Sequence, residues 1–164
     1  MNTLTARALS LGLVVALWTV ISHLGKLPLQ LWPAIVGLAC FLAAGGGMPG
    51  FQKAAAGAVS GVVWAMIYVA ISGALSHQPI LDALLLGVVV AGLVYQARVP
   101  MLGFTAGAVA GAATSIGALG LRTVNVNGGI RVALTLVIGV VLGMVAERVA
   151  DALQRTRIAA MAGR

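Results

Sequence analysis

Apolar residues fall along this chain in six stretches, separated by short clusters of glycine, proline, asparagine and single charges. Each stretch is close to the roughly 20 residues that a helix needs to cross a bilayer, and none alternates with the period of two that a barrel strand would show. The pattern predicts an all-α membrane protein of six transmembrane helices, in a single integral domain covering residues 1–164. The spans are expected at about residues 7–24, 28–46, 52–75, 80–97, 100–120 and 130–150. The first resembles a signal peptide in its single basic residue and apolar core, but no A-x-A-like site follows, so it is read as an uncleaved helix. The last continues in helical pattern past Glu147 and Asp151 to about Ala160, beyond the hydrocarbon core, so residues 151–164 form a helical tail in water.

The fifth stretch organises the rest. Gly103, Gly107 and Gly111 recur every four residues and nearly superimpose on one helix face, with Ala106 and Ala110 on the flank. Lipid tails are as apolar as the side chains, so small-residue stripes that let backbones approach are a main means of helix association. Gly57 with Gly61 on the third span, and Gly139 with Gly143 on the sixth, repeat the spacing.

The third and sixth spans also match each other at an offset of 78 residues. Lys53 meets Arg131, Gly61-Val62-Val63 meets Gly139-Val140-Val141, and Met66 meets Met144. Halves of three spans each would insert in opposite orientations, the inverted-repeat plan of many transporters and channels.

Composition names the solvent. The chain is 61% apolar and 8% charged, with a mean hydropathy of +1.09, too little polar surface for a soluble domain. The net charge of +7 comes from ten basic residues scattered singly at span ends, with no patch for nucleic acid. Arg7, Lys53, Arg98, Arg148, Arg155, Arg157 and Arg164 fall on the side of the termini, and Lys26, Arg122 and Arg131 on the other. Positive charge stays inside, so both termini are expected in the cytoplasm.

Chemistry-bearing motifs are sparse. Gly45, Gly47 and Gly50 fit G-x-G-x-x-G but follow a membrane helix rather than a strand, so the run GGGMPG reads as a break between spans. Cys40 is alone, which excludes an internal disulfide or a cysteine metal cluster. Asp82, Glu147 and Asp151 are the only acids, and all are expected at span ends. The reading is therefore of a protein that is not an enzyme and takes no cofactor or metal. Among the polar residues expected deep in the bilayer are Trp18, Ser60, Trp64, Thr114 and Ser115. The indole N–H of Trp64 needs a partner in a dry interior, and the ring either narrows a pathway or fills space between glycine-rich helices. His23 lies near the end of the first span and His77 after the third, where they are either ordinary interface residues or sensors of outside pH.

The run Ser60–Met66, SGVVWAM, with Lys53 and the glycine-rich break before it and Gln96-Ala97-Arg98 before the fifth span, resembles a YcdZ-type family of small, uncharacterised bacterial inner-membrane proteins. The resemblance covers nearly the whole chain, most clearly from the second span onward. In that family the break often reads P-Q-G-G, where this chain has Gly45-Gly46-Gly47-Met48-Pro49-Gly50. The resemblance implies a multi-span protein of the bacterial inner membrane and brings no assigned activity.

Function follows from the mild interior. With no ionisable residue expected at midplane, the sequence points to a channel or facilitator for a small uncharged polar solute. The alternatives are a coupled small-metabolite transporter and a structural or assembly subunit. The pathway is expected where Gly61 and Gly139 face each other, near Ser60 and Trp64, with Thr114 and Ser115 approaching if the fifth helix is broken or tilted. A homo-oligomer in the bilayer is expected, because six short spans enclose little alone.

Overall fold

The computed structural model describes residues 3–25, 30–75, 78–120 and 126–162. Six α-helices follow in chain order among them: α1 (Thr3–Leu24), α2 (Leu31–Ala43), α3 (Gly47–Ala74), α4 (Pro79–Tyr95), α5 (Thr105–Leu119) and α6 (Val126–Ala162). Two 3-10 turns, Gln96–Arg98 and Pro100–Leu102, join α4 to α5, and the described residues contain no strand. Four helices, α1, α3, α4 and α6, are long and apolar enough to cross a membrane. The other two are shorter: α2 has 13 residues and α5 has 15. At 1.5 Å per residue these are about 20 and 22 Å long, against a hydrocarbon core of about 30 Å.

The starts of α3 and α5 differ from the sequence expectation, each with a local cause. GGGMPG is mostly not a break, because α3 begins at Gly47. Pro49 sits in its first turn, where a missing N–H removes nothing from the helix ladder. The turn itself is confined to Ala44–Gly46, with Gly45 and Gly46 at φ of +91° and +71°, which an L side chain would resist. The fifth helix starts at Thr105 rather than at Pro100. Pro100 holds Val99 extended, at φ −85° and ψ 120°, so the chain passes through a 3-10 turn first. Gly103 therefore stands outside α5, and the expected stripe of three glycines loses its first member. The sixth helix is continuous for 37 residues, joining the expected span and its tail.

The packing is organised by backbone contact. Between α3 and α5, a methyl group added to Gly61 would overlap the carbonyl oxygen of Ala108, and one added to Gly111 would overlap that of Ala58. Between α2 and α6, one added to Gly139 would overlap the carbonyl oxygen of Ala34, and one added to Gly37 that of Leu136. These are the two most extensive helix pairs in the molecule. Each pair runs in the same direction: Gly57 lies at Phe104 while Gly61 lies at Ala108, and Pro33 shares a cavity with Thr135 while Phe41 meets Gly143. Between the pairs α3 and α6 run oppositely, with Met66 against Gly129 and Ala58 and Val62 clustered with Val132 and Leu136.

The outer helices follow from the same logic. On α1 the buried residues Ala6, Ser10 and Val14 recur every four positions and form the inward stripe, while Leu9, Leu13 and Leu17 point outward. On α4 only Val89 and Leu93 are buried. A helix that is apolar all round but buried on one narrow face suits a lipid surround.

Candidate functional site

The α2–α6 seam carries a cavity at each end. The terminal-side cavity, of about 230 Å³, is lined by Arg7 and Ser10 of α1, Phe41 of α2, the Gly45–Gly46 turn, and Gly143 and Glu147 of α6. The far-side cavity, of about 190 Å³, is lined by Gln30 and Pro33 at the start of α2 and by Arg131 and Thr135 on α6. Thr135 and Gly143 are eight residues apart on one helix, so about 12 Å of closed seam separates the two levels. That seam holds Ala34, Gly37, Leu136 and Gly139 in backbone contact, and Phe41, Leu136 and Val140 are each 0% exposed.

Glu147 is the main polar feature of the terminal-side cavity. Its Oε2 accepts a 2.7 Å hydrogen bond from the amide of Gly47, the first residue of α3. The N-terminal amides of a helix lack partners within the helix and carry partial positive charge, so a carboxylate is well matched there. Gly46 is favoured beside it by its φ of +71°, and a Cβ at that position would come within 2.8 Å of Glu147 Oε1. The sequence places Glu147 merely at a span end; the fold brings it onto the cavity wall with Arg7.

The expected pathway residues are distributed differently. Gly61 and Gly139 do not face each other, because Gly61 is spent on α5 and Gly139 on α2. Ser60 and Trp64 belong to one polar chain with Gln96: the indole Nε1 donates to Gln96 Oε1 at 3.1 Å, and Gln96 Nε2 donates to Ser60 Oγ at 3.1 Å. Ser60 Oγ donates in turn to the carbonyl of Gly57 at 2.8 Å. The Trp64 ring lies over Gly92 of α4, where a Cβ would come within 2.5 Å of it. Trp64 thus faces the α3–α4 side, away from the α2–α6 seam.

Thr114 and Ser115 are buried in α5, which is unbroken through both. Ser115 Oγ donates back to the carbonyl of Gly111 at 2.9 Å, one turn before it. The remaining glycines expected to pack do so unequally. Gly57 meets the backbone of Phe104, whereas Gly107 is covered by the ring of Phe104 and Gly143 by the ring of Phe41. A Cβ on Gly103 would find only ordinary contact, at 3.4 Å from the carbonyl oxygen of Pro100. His23 is exposed at the end of α1, and His77 lies outside the described residues. Trp18 Nε1 is buried with no hydrogen-bond partner among the described residues.

Gly37 has no role in the sequence analysis, and Arg7, Gln96 and Glu147 are named there without a place in the site. Ala34 and Gly37 did carry a signal, as a small pair three apart on α2. Gln96 and Glu147 carried none, because their partners are 32 and 100 residues away.

The sequence matches the family described as "Protein of unknown function (DUF1097)" over residues 8–151. Among curated proteins it is similar to "Inner membrane protein YcdZ" of Escherichia coli (strain K12), with 31% identity over 121 residues, 73% of each chain. It is also similar to "Uncharacterized protein YahC" of the same organism, with 34% identity over 122 residues, 68% of this chain and 73% of the relative. No solved structure matches the chain significantly.

Proposed function

The chain belongs to the DUF1097 family, and from that premise we propose that it is an inner-membrane facilitator passing a small polar solute of no net charge along the α2–α6 seam. The observation that carries this reading is the pair of cavities at opposite ends of one seam, both lined by α2 and α6. The shortness of α2 supports it: vestibules at both ends of a helix of about 20 Å leave a thin barrier to open. Irregular backbone at membrane depth is tolerated where it lines such a cavity, and the Ala44–Gly46 turn lies there.

The frame of the proposal is six bilayer-crossing helices in two inverted three-helix repeats, with both termini in the cytoplasm. Its support is a set of equivalent contacts. Adding 78 converts α3 numbers to α6 and adding 74 converts α2 to α5, so the Gly139–Ala34 contact maps onto Gly61–Ala108, and Gly37–Leu136 onto Gly111–Ala58. Adding 75 converts α1 to α4, matching Leu11-Gly12 with Leu86-Gly87 and the buried Val14 with the buried Val89. Opposed repeats give alternating or gated access by small rigid-body shifts of one against the other. A homo-oligomer belongs to the same proposal, with detergent-solubilised mass as its measure.

A coupled carrier is the second reading, and Glu147 favours it. A carboxylate on a cavity wall can hold a proton or cation while a solute passes. Stopped-flow light scattering of proteoliposomes tests the first reading. Flux of urea-sized solutes above that of empty liposomes, with poor Na⁺ and Cl⁻ conductance, is expected, because hydroxyls and amides do not replace an ion's hydration. Strong ion conductance, or no solute flux, contradicts it. Flux that needs a proton or sodium gradient selects the carrier.

A further inference from the structure

We infer that the terminal-side cavity is a binding site for a small zwitterion of the amino-acid type, its carboxylate received by Arg7 and its ammonium by Glu147. The inference deepens the transport reading and rests on it only for the fate of the bound molecule.

Under the offsets of 78 and 74, Gly143, Met144 and Glu147 correspond to Ala65, Met66 and Val69, and Phe41, Leu42 and Gly45 to Ser115, Ile116 and Leu119. Those six counterparts line a void of about 10 Å³, against about 230 Å³ for the terminal-side cavity. The same place in the architecture is therefore filled once and hollow once. Five of the six positions differ; the one that opens space is Gly45, which stands where the filled site has Leu119, and the one that brings charge is Glu147, which stands where it has Val69. The glycine loses apolar filler, and the carboxylate is drawn partly out of water, which its bond to the Gly47 amide offsets in part.

The hollow site is also the one with opposed charges. Glu147 accepts one hydrogen bond from the described residues, that of Gly47, whereas a carboxylate offers about four acceptor positions. Arg7 lines the same cavity from α1 with an exposed side chain, and a guanidinium there can pair with a ligand's carboxylate. A simple anion or cation would meet one opposite charge and one like charge. A molecule carrying both charges on one carbon meets two opposite ones. Beyond the charges the walls are apolar, from Leu11, Phe41 and Leu42. The volume lies below the roughly 300–1,000 Å³ of pockets that take drug-sized ligands. Both features select a small apolar side chain, of the size of alanine's.

The test is isothermal titration of the purified full-length protein in detergent with L-alanine, lactate, ethylamine and acetamide. The last three remove the ammonium, the carboxylate or both charges. L-Alanine is expected to bind at least about tenfold more tightly than each of the others, with Arg7→Gln and Glu147→Gln each weakening it at least about tenfold. Arg7→Gln is the decisive variant, because its side chain is exposed and the substitution leaves the Glu147–Gly47 bond in place. Equal binding of lactate, ethylamine or acetamide overturns the proposal, as does absent alanine binding, or alanine binding unchanged in Arg7→Gln. Liposome flux separates the two levels. Alanine bound without flux of any solute overturns the transport reading and leaves the site; solute flux without alanine binding overturns the site and leaves the transport reading.

Discussion

Glu147 Oε2 and the amide of Gly47 lie 2.7 Å apart although a hundred residues separate them. Their bond ties the terminal-side end of the α2–α6 seam to the first turn of α3. Glu147→Gln keeps an acceptor but loses the charge, and should cost about 1 kcal/mol; Glu147→Ala leaves the amide to find water, and should cost about 1–3 kcal/mol. Thermal unfolding of the two variants in detergent, ranked in that order, checks the bond. Equal stability of wild type and Glu147→Ala would show that the contact holds nothing.

Glycines divide into those that carry backbone contact and those that do not. Gly61→Ala and Gly139→Ala each place a methyl group on a neighbouring carbonyl, of Ala108 and Ala34, and should abolish the folded, monodisperse protein. Gly12 and Gly87 have nothing within 4 Å of an added Cβ. Their replacement by alanine should be neutral, or stabilise by up to about 1 kcal/mol through helix propensity. Expression and size-exclusion profiles of the four variants are the measurement, and a normal profile for Gly139→Ala would remove the seam as a backbone contact.

The division shows what the sequence carried. That small residues spaced four apart mark helix contacts was legible from spacing, and Gly57, Gly61, Gly111 and Gly139 all lie against a neighbouring helix. Which helix each one meets was not, because that depends on rotation about the helix axis, which spacing within one helix leaves open. So Gly61 and Gly139 were expected against each other and instead serve two separate pairs. Gly103 was misassigned for a local reason: Pro100 and the 3-10 turn delay α5 to Thr105. The all-helical order was legible in the apolar runs, but the length of α2 was not, since glycines at positive φ end it at Ala43 within a run that stays apolar. The polar cluster of the terminal-side cavity was the least legible part. Its charged members, Arg7 and Glu147, sit at opposite ends of the chain, and the bond Glu147 makes is to backbone, which leaves no pattern.

The Trp64 ring packs against Gly92 of α4, and its N–H is held by Gln96. Gln96→Leu should leave the indole N–H unsatisfied and cost about 1–3 kcal/mol. Trp64→Phe should then cost less in the Gln96→Leu background than alone, the coupling a double-mutant cycle measures. Trp64→Ala should lower stability by about 3 kcal/mol while the selectivity of solute flux stays unchanged, because the ring faces Gly92 and not the seam. Broadened selectivity in Trp64→Ala would return the pathway to the α3–α4 side.

The proposed topology gives a separate expectation. With six crossings and seven of ten basic residues on the side of the termini, a C-terminal alkaline phosphatase fusion should be inactive and a fluorescent-protein fusion bright. Phosphatase activity at the C-terminus would put that end in the periplasm and remove the six-span frame.

The most direct test locks the seam. A Cβ at position 143 lies 3.0 Å from the Cβ of Phe41, close enough that Phe41→Cys with Gly143→Cys, in a Cys40→Ala background, can form a disulfide after a small adjustment. The same proteoliposomes are measured oxidised and then reduced, so the reduced protein is its own control for folding. If the solute passes between α2 and α6, oxidation should abolish flux and reductant should restore it. Flux that is equal in the oxidised and reduced states would contradict the seam as the pathway.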